Sequence, residues 1–137
     1  MGLDSGAYVK SNKRKITRDM LPNGIFYPFD IDYEDEVEFI YFRKCWGLRT
    51  EIMDHFGWRL TNPEQWKFDI DTPEQVFELI EILASWLNKE RWEDEGNSIW
   101  TYEEIHNHLI EAIINTSIIY TYMLNNPDVY IQWYDSY

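Results

Sequence analysis

Between Thr101 and Pro127 the chain commits to one long helix, and few architectures can hold it. Thr101-Tyr102-Glu103-Glu104 has the form of a capping box, in which a threonine hydroxyl and a glutamate three residues on satisfy N–H groups left open at a helix start. Asn125-Asn126-Pro127 ends the helix near Leu124, because proline lacks an N–H and clashes with the preceding turn. Ile105, Leu109, Ala112, Ile113, Ile119 and Met123 recur at helical spacing and make a core face. Ile110, Ile114, Ile118 and Tyr122 widen that stripe, which predicts a central helix or one that faces a second subunit. Directly afterwards Asp128–Tyr137, DVYIQWYDSY, alternates Val129, Ile131 and Trp133 with Tyr130, Gln132 and Tyr134, the period of a strand.

The remaining elements follow from similar local signals. Thr72-Pro73-Glu74-Gln75 is another capping box, with proline at the first helical position. It opens an amphipathic helix that reaches about Lys89, followed by a charged loop over Arg91–Ser98. Trp66–Asp71 alternates and predicts a middle strand, and Ala7–Lys10 an N-terminal one. SNKRKITRD after Lys10 is a solvated basic loop or an anion-contacting arm, and Pro22, Asn23 and Gly24 mark a turn. A further helix is expected from about Phe39 to Gly57, preceded by the acid-rich Tyr33–Glu38, whose charges suit a helix N-terminus. The sum is an α+β fold: a small antiparallel sheet of N-terminal, middle and C-terminal strands packed against three helices, as a single domain over 1–137.

Composition narrows the partners. Seven Trp and ten Tyr exceed the needs of a core this size, so some must lie in a pocket or an interface. A formal net charge of −13 disfavours direct binding to nucleic acid. Basic residues cluster near the N-terminus and between Arg43 and Arg59, and from Trp92 onward there is no Lys or Arg, which suggests either a localised anion site or a broad acidic face that repels nucleic acid and attracts a basic partner. The lone Cys45 excludes an internal disulfide and fits a reducing compartment. With no apolar leader and no run near the ~20 residues that span a bilayer, neither export by signal peptide nor a membrane span is expected.

Catalytic and metal motifs are missing from the sequence. There is no GxSxG, no P-loop and no Gly-rich phosphate cradle. Cys45 falls on an apolar stripe and reads as core, and His106 and His108, two apart on a helix, point away from each other. No catalytic residue, metal ligand or cofactor is therefore assigned. The candidate site is the helix near Cys45. Tyr41, Cys45, Leu48, Ile52 and Phe56 would face the core; Arg43, Trp46, Thr50 and Met53 would share another face, flanked by Lys44 and Arg49. Guanidinium forks grip phosphate and an indole stacks on a base, so a nucleotide-like ligand would suit Arg43, Lys44, Trp46 and Arg49. Trp100, Tyr102, Tyr130, Trp133 and Tyr134 could add a stacking wall. The competing reading pairs these cations with the chain's own carboxylates.

Three segments, MGLDSGAYVK at the start, YFRKCWGLR in the middle and DVYIQWYDSY at the end, resemble a group of small bacteriophage and prophage proteins. Those have an MGLD-type first strand, a (Y/F)WRK-type helix and an aromatic last strand. Here Phe42 stands where that group has Trp, and Arg49 and Thr50 where it has a histidine. The resemblance implies a phage accessory protein in the host bacterial cytoplasm that counters host defence. One expectation is a homo-oligomeric, non-enzymatic sponge that sequesters a small nucleotide-type immune signal through Arg43, Lys44, Trp46, Arg49, Trp100 and Tyr102. Another is an acidic DNA mimic or protein–protein inhibitor of a host defence nuclease or CRISPR effector. A phage structural component is a third.

Overall fold

A computed structural model describes residues 3–32, 35–56, 67–95 and 99–136. Four antiparallel strands, β1 (Asp4–Ser11), β2 (Val37–Arg43), β3 (Lys67–Ile70) and β4 (Val129–Ser136), form one sheet in the order β2-β1-β4-β3. Four helices accompany it among the described residues: α1 (Trp46–Phe56), α2 (Pro73–Ser85), α3 (Lys89–Glu95) and α4 (Tyr102–Asn125). The α+β expectation holds, with one strand and one helix more than the sequence suggested. β1 and β4 pair along their length, from Asp4 opposite Ser136 to Ser11 opposite Val129. Side-chain alternation sends Ser5, Ala7 and Val9, with Ile131, Trp133 and Asp135, toward the helices, and Asp4, Tyr8, Lys10, Gln132 and Tyr134 to the other face.

Both capped helices start where their boxes place them. Thr72 Oγ1 accepts from the Gln75 N–H, and the Gln75 side chain accepts from the Thr72 N–H. Thr101 Oγ1 accepts from the Glu104 N–H, but its own hydroxyl turns to the Glu104 carboxylate, so this box is half formed. α2 stops at Ser85, short of the expected Lys89. The charged stretch beyond is helical, not a loop. Asn88 Oδ1 caps it by accepting from the Arg91 N–H, buried Trp92 meets Trp86 edge-on at 6.2 Å, and the Arg91 guanidinium stacks on Trp86 at 4.1 Å. Tertiary contact to Trp86 holds a helix too short to persist alone.

The largest correction concerns residues 37–43, expected to begin a helix and found as β2. Val37, Ile40 and Phe42 face inward while Glu38, Tyr41 and Arg43 face outward, with Phe39 the extra residue of a bulge opposite Ala7 and Tyr8. Aromatic and β-branched residues suit that pleated surface, and the i, i+4 match of Tyr41 with Cys45 was coincidental. Acid-rich residues before Val37 therefore lead into a strand, not a helix. Lys44, at φ 55°, turns the chain so that α1 begins at Trp46. Cys45 is buried, as expected, but so is Met53, which helical reading had placed on the cationic face. The expected cap at Gly57, the strand residue Trp66, the end of the expected charged loop from Gly96 to Ser98, and Tyr137 fall outside the described residues.

Along α4 the apolar stripe packs on α2 and β2, but Ile114 and Leu124 stay exposed, as does Phe77 on α2. No described helix is long and apolar enough to cross a membrane.

Candidate functional site

On the sheet face away from the helices, register decides which side chains meet. Tyr41, Gly6, Tyr134 and Lys67 lie across the strands in one row, and Glu38, Tyr8 and Gln132 in the next. Gly6 leaves the floor open: a Cβ there would come within 2.7 Å of Glu38 Oε2 and 2.8 Å of the Tyr134 ring. Across that gap the Tyr134 hydroxyl donates to Glu38 Oε2. The Tyr41 hydroxyl donates to Asp4 Oδ1 at 3.0 Å, and Tyr8 stacks on Tyr134 with centroids 4.9 Å apart.

A loop before β2 forms the wall of the cleft. Arg18 donates to Asp32 Oδ1 at 2.8 Å and to the Phe29 carbonyl at 2.7 Å, while its guanidinium stacks on Tyr27 at 4.2 Å. Phe29 then meets Tyr41 edge-on at 5.0 Å, and Ile31 stands 82% exposed at the rim. Buried Asn115 of α4 ties the start of this loop down. Its amide donates to the Phe26 and Phe39 carbonyls at 2.9 and 2.8 Å, and its oxygen accepts from the Phe26 N–H at 2.7 Å. Asn115→Leu should cost about 2 kcal/mol in urea unfolding, since it strands the buried Phe39 carbonyl at the bulge. A loss under about 0.5 kcal/mol, the range of an ordinary surface substitution, would contradict this clamp.

Together these elements enclose a cleft of about 990 Å³. Of the six acidic residues in its lining, Asp135 turns its carboxylate to the inner face, and the other five (Asp4, Asp30, Asp32, Glu36 and Glu38) outnumber the cations Arg18 and Lys67. Three of the six acids have basic partners: Asp32 has Arg18, Glu36 has Lys10 at 2.7 Å, and Asp135 has Arg49. Asp4 and Glu38 are held by neutral phenols instead. Burial, opposed by the Tyr134 hydrogen bond and reinforced by the charges of Asp4 and Glu36, pushes the Glu38 carboxyl up to about 7. Burial and then the hydrogen bond to Asp4 push the Tyr41 phenol up to about 12, and burial with the Glu38 charge raises Tyr134 as well. Both phenols therefore stay neutral donors. No protein-family model, curated protein or solved structure matches this chain.

The six residues expected to form an anion site are not brought together. Arg49 sits on α1 but points inward, its Nε 2.6 Å from Asp135 Oδ2, whose carboxyl also accepts from Ser5 Oγ at 2.9 Å. Arg43 stands at the end of β2, in register with Asp4, and Lys44 forms the corner beyond it. Trp46 lines a shallow groove with Thr50, Asp54 and Arg91. Trp100 stacks flat on His108 at 4.1 Å, and Tyr102 lies 5.8 Å from His106. Burial lowers the His108 pKa, so that ring stays uncharged against the indole near neutral pH. No cluster of three or more His, Cys, Asp or Glu suited to a metal occurs among the described residues. Of the suggested stacking wall, only Tyr134 reaches the cleft; Trp133 is core.

Sequence reasoning missed Asp4, Tyr8 and Glu38. The available signal was alternation in DSGAYVKS, which puts Asp4 and Tyr8 on one face; in VEFIYFR strict alternation would separate Glu38 from Tyr41, and only the bulge at Phe39 turns both outward.

Proposed function

We propose that this protein is a non-enzymatic binding module that captures a cationic segment of a partner protein in the outer cleft of its sheet. One observation carries the reading: the cleft is aromatic and acidic, and its arginine is already committed to Asp32. Such a lining attracts ammonium or guanidinium groups through carboxylate charge and ring faces, and repels phosphate. In the phage setting that the resemblance implies, this favours the acidic inhibitor of a host defence protein, acting in the bacterial cytoplasm, over the nucleotide sponge. The sponge reading needed Arg49 for an anion, and Arg49 is spent on Asp135.

Calorimetric titration tests the choice. A lysine-rich peptide should bind, with affinity falling as salt rises, while cyclic dinucleotides and cyclic ADP-ribose should give no heat. Nucleotide binding without peptide binding would reverse the assignment. The homo-oligomer is retained as part of the proposal. From Ala112 to its end at Asn125 α4 carries no Asp, Glu, Lys or Arg, so two copies of an acidic chain could meet there without opposing charges. Light scattering at tens of micromolar should read twice the 16.7 kDa chain mass; the mass of a single chain would remove it.

A further inference from the structure

We propose that Asp4 and Glu38 together receive a primary ammonium group, the end of a lysine-type side chain, and that Glu38 releases a proton to solvent as it arrives. This rests on the cation-binding reading above and names the group that the cleft selects. The geometry around Gly6 is the starting point. Tyr41 occupies Asp4 Oδ1 and Tyr134 occupies Glu38 Oε2, so within the described residues Asp4 Oδ2 and Glu38 Oε1 remain as acceptors. A guanidinium fork seeks both oxygens of one carboxylate in a plane. Here each carboxylate offers one, on neighbouring strands, which suits a compact ammonium with three divergent donors. The outer face already accommodates such groups: Lys10 and Lys67 each place Nζ 5.8 Å from the centre of the Tyr8 ring. Phe29 and Ile31 at the rim offer apolar surface for the alkyl stem.

The proton follows from the crowding of acids. Glu38 faces Asp4 and Tyr8 on β1, Glu36 just before its own strand, Tyr134 on β4 and Lys67 on β3, with Asp30 and the Arg18–Asp32 pair in the wall. Buried against the charges of Asp4 and Glu36, its carboxyl holds a proton at pH values where a free glutamate would not. An ammonium between the two carboxyls favours the charged form. The O–H bond of Glu38 breaks, the proton passes to water, and no ligand bond changes.

The test is isothermal titration with Nα-acetyl-lysine methylamide, the arginine analogue as comparison, in two buffers of different ionisation heat. At pH 6 the lysine probe should release most of one proton, and at pH 8.5 almost none. Its affinity should rise with pH up to about 7, approaching tenfold per unit, then level off. Glu38→Gln, which keeps an oxygen for Tyr134, should abolish the release and weaken binding at least tenfold. Lysine binding with no proton release, or unchanged in Glu38→Gln, overturns this inference and leaves the cation reading standing, as does an arginine probe that binds as tightly. If neither probe binds but lysine-rich peptide does, the single-ammonium site is likewise overturned. Silence from both probes and the peptide overturns the cation reading itself.

Discussion

Replacing Arg49 with methionine should cost about 3–5 kcal/mol in urea unfolding at pH 7, the range for a buried ion pair that loses one partner. Methionine keeps much of the apolar stem but removes the guanidinium from Asp135, whose side chain is 2% exposed. Ser5 Oγ and, more distantly, Trp133 Nε1 would still donate to that carboxylate. Two neutral donors do not replace a cation 2.6 Å away. Surface pairs set the contrast. Lys15 and Asp35, 58% and 76% exposed, form a contact that solvent screens, and Lys15→Met should change stability by about 0.5 kcal/mol or less. Replacing both partners, Arg49→Met with Asp135→Leu, should recover most of the loss, because the stranded charge is gone. An Arg49→Met protein as stable as the parent would mean that the guanidinium is not buried against β4. The anion-site reading of that helix would then regain its central residue.

Glu38→Gln should stabilise the protein at pH 8 by about 2 kcal/mol and leave it nearly unchanged at about pH 4, below the unfolded value. The sign follows from where the proton binds more tightly. The carboxyl titrates near 4.5 when unfolded and at about 7 when folded, so between those values the folded state holds a proton that the unfolded state has lost. The stability from Glu38 is complete below the unfolded value and declines as pH rises through the folded one. Above about 7 a charged carboxylate sits on the sheet floor beside Asp4 and Glu36. Glutamine removes that charge and still accepts from Tyr134. The full shift would convert to about 3 kcal/mol, reduced here because part of the group meets solvent. Urea unfolding of both proteins at the two pH values gives the result directly, and an equal difference at both would sink it. A residue that destabilises the fold at working pH is one that folding alone would not select, which is how binding sites often declare themselves.

Some of this was written locally in the chain. Thr72 and Thr101 place their helix starts because a cap involves residues only three apart, and Pro127 ends α4 by its own ring. The alternation of Val129, Ile131 and Trp133 marked β4 for the same reason, and Cys45 was legible as core. β2 was not legible as a strand, since Tyr41 and Cys45 satisfy helical spacing as well as the outward and inward faces of a strand and its corner. Pairing with β1 broke that tie, and pairing is a property of two distant segments.

Charge partners escaped sequence reading for the same physical reason. The sequence itself determined that cations cluster around residues 43–49 and that acids are in excess, but a guanidinium takes whichever carboxylate the fold brings within reach. For Arg49 that was Asp135, 86 residues away in sequence, once the fold brought that side of α1 within reach of the inner face of β4. The cleft arose similarly: Asp4, Tyr8, Glu38 and Tyr134 are unremarkable in their own segments, and only the register of β1 with β2 and β4 makes them neighbours. Helix ends came from short-range hydrogen bonding along the chain. The site came from long-range strand pairing, which the tertiary structure alone decided.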